Sequence, residues 1–186
     1  MSSPWQTTVN VTLKSVDLAR GTGEFVLDPV GSNPLPPPTG KHQVLTFDND
    51  GHNGFNVDFV LIDATDQGYT FPPNSEKTQA VSSDLGATDS CPPQGTSHVL
   101  SPIKVGGTNN DTLSVHNPNQ GSLVGPFSYV LWVTNDGGSS YIKLDPGGQN
   151  HNGSTGGFPR AAALVAGVVV AAAAIFALYK LNLLGR

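Results

Sequence analysis

The residues best suited to metal chemistry in this chain are one cysteine and five histidines. A blue-copper site needs a cysteine, two histidines and usually a methionine, with three of these ligands close together near the last strand. Cys91 is instead followed by two prolines, and Met1 is the sole methionine. The histidines, at positions 42, 52, 98, 116 and 151, include no pair separated by the three to five residues typical of zinc sites. We therefore expect no metal and no cofactor, with histidines on the surface or in loops.

The run Asp48-Asn49-Asp50-Gly51 places hard oxygen ligands at alternate positions, as calcium loops do. Asn53 occupies the position of the loop glycine, and no glutamate closes the loop, so a plain turn is expected. The nucleophile motif G-x-S-x-G and the two glycine-rich phosphate motifs are absent from the sequence. Cys91 lies in a proline-flanked polar stretch with no basic neighbour in sequence. The sequence thus predicts a protein that is not an enzyme.

The C-terminal part of the chain has the composition of a membrane anchor. Residues 161–179 form an uncharged, apolar or small-residue run, long enough for a helix to cross a bilayer core of about 30 Å. Arg160 and Lys180 flank the run, and Tyr179 lies where an interfacial aromatic residue is expected. The sequence predicts a single-pass transmembrane helix over 160–181, in contact with the lipid bilayer, and a short tail over 182–186.

Small residues recur along this predicted helix. Ala163, Gly167 and Ala171 are four residues apart and Ala174 follows three later, so the four share one face. Small residues let helix backbones approach closely in membranes, which suits packing against other transmembrane helices. Chance spacing in an alanine-rich anchor is the alternative.

The rest of the chain is acidic. All 14 Asp and Glu residues precede Arg160, whereas three of the nine Lys and Arg residues do not, so residues 1–159 carry a net charge of −8. An acidic segment without a basic stripe is a poor match for phosphate backbones, and this excludes nucleic acid as an expected partner. Of the acidic residues, 12 are Asp and two are Glu, a bias typical of strands and turns rather than helices.

Alternation of apolar and polar residues predicts strands. Val9, Val11 and Leu13 alternate with polar neighbours, and Asn135-Asp136-Gly137-Gly138 is typical of a hairpin turn between two such runs. We expect an antiparallel β-sandwich over 1–145, followed by a glycine-rich linker over 146–159, with loops at 31–40 and 72–95. The other predicted strand runs are 24–27, 42–47, 55–62, 97–100, 112–116, 127–134 and 139–144.

Two segments, 25–33 and 142–150, share Leu-Asp-Pro with a Gly and an Asn at matching positions beyond it, which predicts strands ending in Asp-Pro turns. The predicted sandwich resembles cupredoxin-like and immunoglobulin-like domains. The Leu144-Asp145-Pro146 ending is similar to that of the small bacterial DP-EP proteins. The resemblance concerns the fold alone and assigns no functional residue, and the copper ligands that such a fold can carry are not found at the required spacing.

Two features of the sequence disagree on which side of the membrane the acidic domain lies. The N-terminal sequence lacks the apolar core of a signal peptide, which favours a cytoplasmic domain with a tail anchor. Lys180 and Arg186 beyond the span favour the opposite orientation by one charge. We give the missing signal peptide the greater weight and expect the bulk of the chain in the cytoplasm.

These features together indicate a single-span accessory or structural subunit of a membrane protein complex. The favoured class is an energy-transducing complex, respiratory or photosynthetic, that the helix and the surface domain stabilise. Two alternatives remain open: a membrane-tethered binding module for a soluble partner, and a membrane-associated protein of a virion.

Overall fold

The computed structural model describes residues 3–49, 53–86 and 91–152, and this part of the protein is mainly β. Its strands, in chain order, are β1 (Trp5–Asp17), β2 (Thr22–Val30), β3 (Leu45–Asn49), β4 (Phe55–Asp63), β5 (Val81–Leu85), β6 (Ser101–Gly106), β7 (Thr112–Asn117), β8 (Gly125–Val133), β9 (Ile142–Leu144) and β10 (Gly147–Asn152). Short 3₁₀ segments cover Asn74–Gln79 and Gly121–Leu123.

The strands fall into two groups by their pairing. The first group has the order β6-β7-β4-β1-β2, in which β1 and β4 are parallel and the other pairs are antiparallel. In the second group, β8 pairs with β5, β9 and β10, and β10 also pairs with β3 in parallel. One bridge, between Thr22 and Lys143, joins β2 to β9 and so links the two groups. This arrangement is compatible with a β-sandwich.

The hydrophobic core combines side chains from both groups. Every second residue of β1 from Thr7 to Leu13 is buried, as the alternation of its sequence requires. Aromatic rings of the two groups contact each other: the ring centroids of Phe47 and Phe55 are 5.3 Å apart, and those of Phe59 and Tyr129 are 5.9 Å apart. Such aromatic pairs stabilise a fold by more than the burial of their apolar surface alone provides.

Three fully buried asparagines connect the groups at one end of the domain. Asn117, the last residue of β7, and Asn150, on β10, exchange side-chain hydrogen bonds of 2.8 and 3.2 Å. Asn150 also donates to the Leu123 carbonyl at 2.8 Å, and Asn119 donates to the carbonyls of Phe47 and His151. These bonds satisfy polar groups that burial would otherwise penalise, and they fix β7 against β10 and β3.

Side chains also occupy the hydrogen-bonding edges of strands. The Gln43 side-chain amide accepts from the Leu27 N–H at 2.7 Å and donates to the Phe25 carbonyl. It thereby occupies backbone groups of β2 that a neighbouring strand would otherwise bind. On β6, the Asn74 side chain accepts from the Val105 N–H at 2.9 Å, and Lys77 donates to the Ile103 carbonyl at 2.7 Å. These contacts block strand addition at both edges.

The structure confirms the predicted mainly β character and the hairpin at 135–138, because β8 and β9 pair antiparallel across it. Other local predictions differ. Strand β10 lies at 147–152, inside the predicted linker, and β5 lies inside the loop predicted over 72–95. The predicted strand at 97–100 contributes one bridge, at Ser97, and β2 continues through the Asp28-Pro29 pair to Val30.

The predicted transmembrane segment, 160–181, the tail, 182–186, and the second half of the predicted linker, 153–159, lie outside the described residues. Within the described ranges, no helix has the length and apolar character that a membrane crossing requires.

Candidate functional site

The predicted helix-packing residues Ala163, Gly167, Ala171 and Ala174 lie outside the described residues. Within the described residues, the side chains that could bind a metal are far apart. His98 contacts Asp84 at 2.9 Å, and His116, on β7, contacts Asn56 at 2.8 Å. Over residues 3–49, 53–86 and 91–152, no three or more His, Cys, Asp or Glu side chains come together as a metal site would require.

Cys91 has a basic neighbour that the sequence did not reveal. Cys91 is exposed, and its Sγ lies 3.7 Å from the Nζ of Lys143, a residue of β9. Although the residue is exposed, partial burial of its sulfur and then the charge of Asp145 raise the pKa of Cys91, against the opposing effect of Lys143. A raised pKa keeps the sulfur protonated near neutral pH, so this thiol lacks the activation of a catalytic nucleophile.

A cleft of about 390 Å³ opens at one end of the domain and is called the end cleft here. It lies where β4 ends and β7 begins, opposite the end that holds the asparagine cluster and Asn152. The Leu61 N–H donates to the Asp111 carbonyl at 2.7 Å, which fixes the loop before β7 against β4. The lining residues are Leu61, Asp63, Gly68, Tyr69, Thr70, Asn109 and Asp111.

Asp63 organises one wall of the end cleft. Its Oδ1 accepts from the N–H and the hydroxyl of Thr65, at 3.0 and 2.6 Å, and its Oδ2 accepts from the Tyr69 N–H at 2.9 Å. Burial alone would raise the pKa of Asp63, but these hydrogen bonds outweigh it and hold the pKa below its ordinary value. The carboxylate is therefore ionised at neutral pH.

Tyr69 forms another part of the same wall. The side chain is 4% exposed, and its hydroxyl has no hydrogen-bond partner within the described part of the chain. Burial, followed by the charges of Asp63 and Asp136, raises the pKa of Tyr69 above its ordinary value, so the phenol is neutral. Because carboxylate and amide groups line the end cleft, it suits cationic or hydrogen-donating groups better than anions.

A second cleft, of about 190 Å³, lies beside β1 and is called the side cleft. The pairing of β1 with β2 ends at Thr8 and Val30, and the chain then leaves β1 through residues 31–33. The cleft occupies this divergence. Its lining residues are Gln6, Thr7, Thr8, Val30, Gly31, Ser32, Asn33 and Asp58.

Two polar residues of the side cleft belong to opposite faces of the sheet, because Thr7 shares the buried face of β1 with Val9, whereas Asp58 pairs with Thr8 on the other face. Thr7 is 6% exposed, and its Oγ1 has no hydrogen-bond partner in the part of the chain that the structure describes. Asp58, from β4, accepts a short hydrogen bond from the Ser114 hydroxyl, which orients its carboxylate. Sequence alternation places Thr7 in a strand, but no pattern in the sequence links it to residues 31–33 or to Asp58.

Comparison of the chain with protein-family models and with curated protein sequences finds no match in either set.

Proposed function

We propose that this protein is a single-span accessory subunit of a membrane protein complex, with an energy-transducing complex as the favoured class. The observation that carries the proposal is the uncharged run 161–179 with its stripe of small residues. A run of 19 such residues suits a bilayer span, and its composition suits contact with other helices better than contact with lipid alone.

The stripe defines where a partner helix packs. Successive helical residues are about 100° apart, so Ala163, Gly167 and Ala171 lie nearly one above another. Gly167 has no side chain and is at the centre of the stripe, where two backbones come closest. Val169 lies about 200° from Gly167 and points away from the same partner.

The acidic domain has the role of bracing or covering the complex at the membrane surface, on the cytoplasmic side. We infer a β-sandwich of immunoglobulin-like or cupredoxin-like type from the two strand groups and their shared aromatic core. The net charge of −8 over residues 1–159 favours contact with basic surfaces of neighbouring subunits. No catalytic step is assigned to the domain.

The test is mild detergent extraction of the native membrane, followed by native separation and mass spectrometry of the proteins that migrate with this chain. We expect co-migration with a large complex at fixed stoichiometry. Gly167→Leu should reduce the recovered partner, because the new side chain separates the backbones at their closest approach. Val169→Leu, on the opposite face, is the control and should leave recovery unchanged. Migration of the chain alone, or equal recovery with both variants, contradicts the proposal.

The alternative is a tethered binding module, in which the helix is only an anchor. The observation that favours it is the presence of the end cleft and the side cleft in the described part of the acidic domain. Replacing residues 161–179 by an unrelated polyleucine span distinguishes the two functions. If the chain keeps its function in the cell after the exchange, the binding module is supported. If the function is lost although the new span inserts into the membrane, the accessory subunit is supported.

A further inference from the structure

We propose that one end of the β domain rests on the lipid surface of the membrane, so that the end cleft opens away from the bilayer. The end in question holds the three buried asparagines and is called the asparagine end. The strands β1, β4 and β8 begin there, and β3, β7 and β10 end there. The inference rests on the proposed transmembrane span, and it adds which part of the domain meets lipid.

The length of chain between the domain and the predicted span limits how the domain is oriented. The described residues end at Asn152, on β10, and residues 153–159 separate it from the predicted span, which begins at Arg160. A stretch of this length reaches at most about 25 Å. Strand β1, which begins at the asparagine end, has 13 residues and is about 40 Å long. If the opposite end met the membrane, Asn152 would lie farther from the surface than residues 153–159 can reach.

The apolar side chains at the asparagine end favour lipid as its partner. Leu85, the last residue of β5, lies beside the start of β8 and is 42% exposed. Leu123 and Val124, just before β8, are half-buried, and Pro126 is exposed. Trp5, the first residue of β1, is half-buried and packs against the core. Apolar side chains gain free energy on leaving water, and tryptophan favours the headgroup region of a bilayer.

The distribution of carboxylates in the described part of the chain favours the same orientation. The opposite end, where β1 and β4 end, holds five aspartates: Asp17, Asp63, Asp66, Asp111 and Asp136. At the asparagine end lie Asp48 and Asp84, and Asp84 contacts His98 at 2.9 Å. Residues 50–52 and 87–90, which follow β3 and Gly86, are outside the described ranges. Because the cytoplasmic leaflet carries anionic lipids, the end with more carboxylates is expected to face away from it.

The two tryptophans of the chain make this orientation measurable. Trp5 lies at the asparagine end, whereas Trp132 is seven residues beyond Gly125 on β8 and so about 23 Å from that end. In the full-length variants Trp132→Phe and Trp5→Phe, the remaining tryptophan reports on one position. Each variant is inserted into phosphatidylcholine vesicles with and without a lipid that carries a nitroxide on its headgroup. We expect the nitroxide to quench the fluorescence of Trp5 and to leave that of Trp132 nearly unchanged.

Two charge substitutions, each made in the Trp132→Phe chain, test the contact with lipid. Leu85→Asp places a charge where lipid contact is expected, so the quenching of Trp5 should fall. Leu18→Asp is the matched control, because it adds the same charge at the opposite end, between β1 and β2, where Leu18 is 73% exposed. It should leave the quenching unchanged. Both leucines are exposed in the native fold, so the melting temperatures of the two variants should be close to that of the parent.

Equal quenching of the two tryptophans, or stronger quenching of Trp132, overturns the proposal. Equal loss of quenching in Leu85→Asp and Leu18→Asp also overturns it, because the effect is then one of net charge. If the chain does not float with the vesicles on a density gradient, the transmembrane span is wrong, and the accessory role and this orientation are overturned together. Selective quenching of Trp5 in a chain that migrates alone in native separation supports the orientation and contradicts the accessory role.

Discussion

Removal of the Asn150 side chain should destabilise the domain strongly, although the residue lies in a segment whose sequence resembles a linker. In the native fold this amide accepts from the Asn117 Nδ2 at 2.8 Å and donates to the Leu123 carbonyl at 2.8 Å. Asn150→Ala leaves both groups without these partners. The Asn117 Oδ1 keeps a donor, because the Asn119 N–H lies 3.1 Å away.

The size of the effect follows from counting the groups that lose a partner. Each buried donor or acceptor left unsatisfied costs about 1–3 kcal/mol, so two such groups predict a loss of about 2–6 kcal/mol. Domains of this size have total stabilities of about 5–15 kcal/mol. At about 2–4 °C per kcal/mol, the melting temperature should fall by about 4–24 °C.

A double-mutant cycle on the full chain in detergent is the sharpest assay, with thermal unfolding followed by tryptophan fluorescence. Asn117→Ala should cost about as much as Asn150→Ala, because it likewise leaves two groups, the Asn150 Oδ1 and the Asn119 N–H, without these partners. The double variant should cost less than the sum of the two, since each single variant leaves the partner amide unpaired. Additive losses, or a loss below about 0.5 kcal/mol in Asn150→Ala, refute the reasoning.

Two further predictions concern packing and pH. In Gly148→Ala the new Cβ overlaps the Phe127 ring, so a loss of about 1–3 kcal/mol is expected in urea unfolding. Gly106→Ala is the control, because its Cβ meets no atom within 4 Å, and it should be neutral or stabilising. The pKa of Asp63 is lower in the folded state than in the unfolded state, where it is about 3.9. The ionised carboxylate therefore stabilises the fold above the unfolded pKa, and this stabilisation is lost as the pH falls through the pKa of the folded state. Asp63→Asn should therefore be less stable than the native chain at neutral pH and should lose less stability on acidification; parallel acid-unfolding curves contradict this.

Alternation of apolar and polar residues was sufficient to predict the strands at the centre of the first group. Residues 7–13 and 55–61 alternate in burial, as half-buried strands do. Their sequences contain the signal because one face packs on the core and the other meets solvent. The mainly β character of the domain could therefore be predicted from the sequence.

Strands with polar sequences could not be predicted this way, since long-range contacts determine them. In β5, Ser82 and Ser83 are fully buried, and the Ser83 Oγ accepts from the N–H groups of Val99 and Leu100. In β10, burial of Asn150 depends on Asn117, which is 33 residues earlier. Propensity and periodicity carry no information on such partners, so these segments were expected to be loops or a linker.

The clefts were also beyond prediction from one sequence. The side cleft joins residues 6–8, 30–33 and 58, and the contact between Cys91 and Lys143 spans 52 residues. Neither has a short motif, because each depends on where paired strands diverge or where a loop crosses a strand. What the sequence does indicate is the type of side chain available for them, polar and acidic rather than basic.

The protected edges bear on how this domain meets a partner. Gln43 occupies the edge of β2, and Asn74 and Lys77 occupy that of β6. Beside β5, the Ser83 backbone already exchanges hydrogen bonds with Thr96 and His98. A partner that recognises proteins by adding a strand finds these three edges taken. At these three edges a partner is therefore expected to be recognised through side chains and not through an added strand. The polar and acidic lining of the end cleft and the side cleft favours hydrogen bonds and attraction to basic surfaces over apolar adhesion.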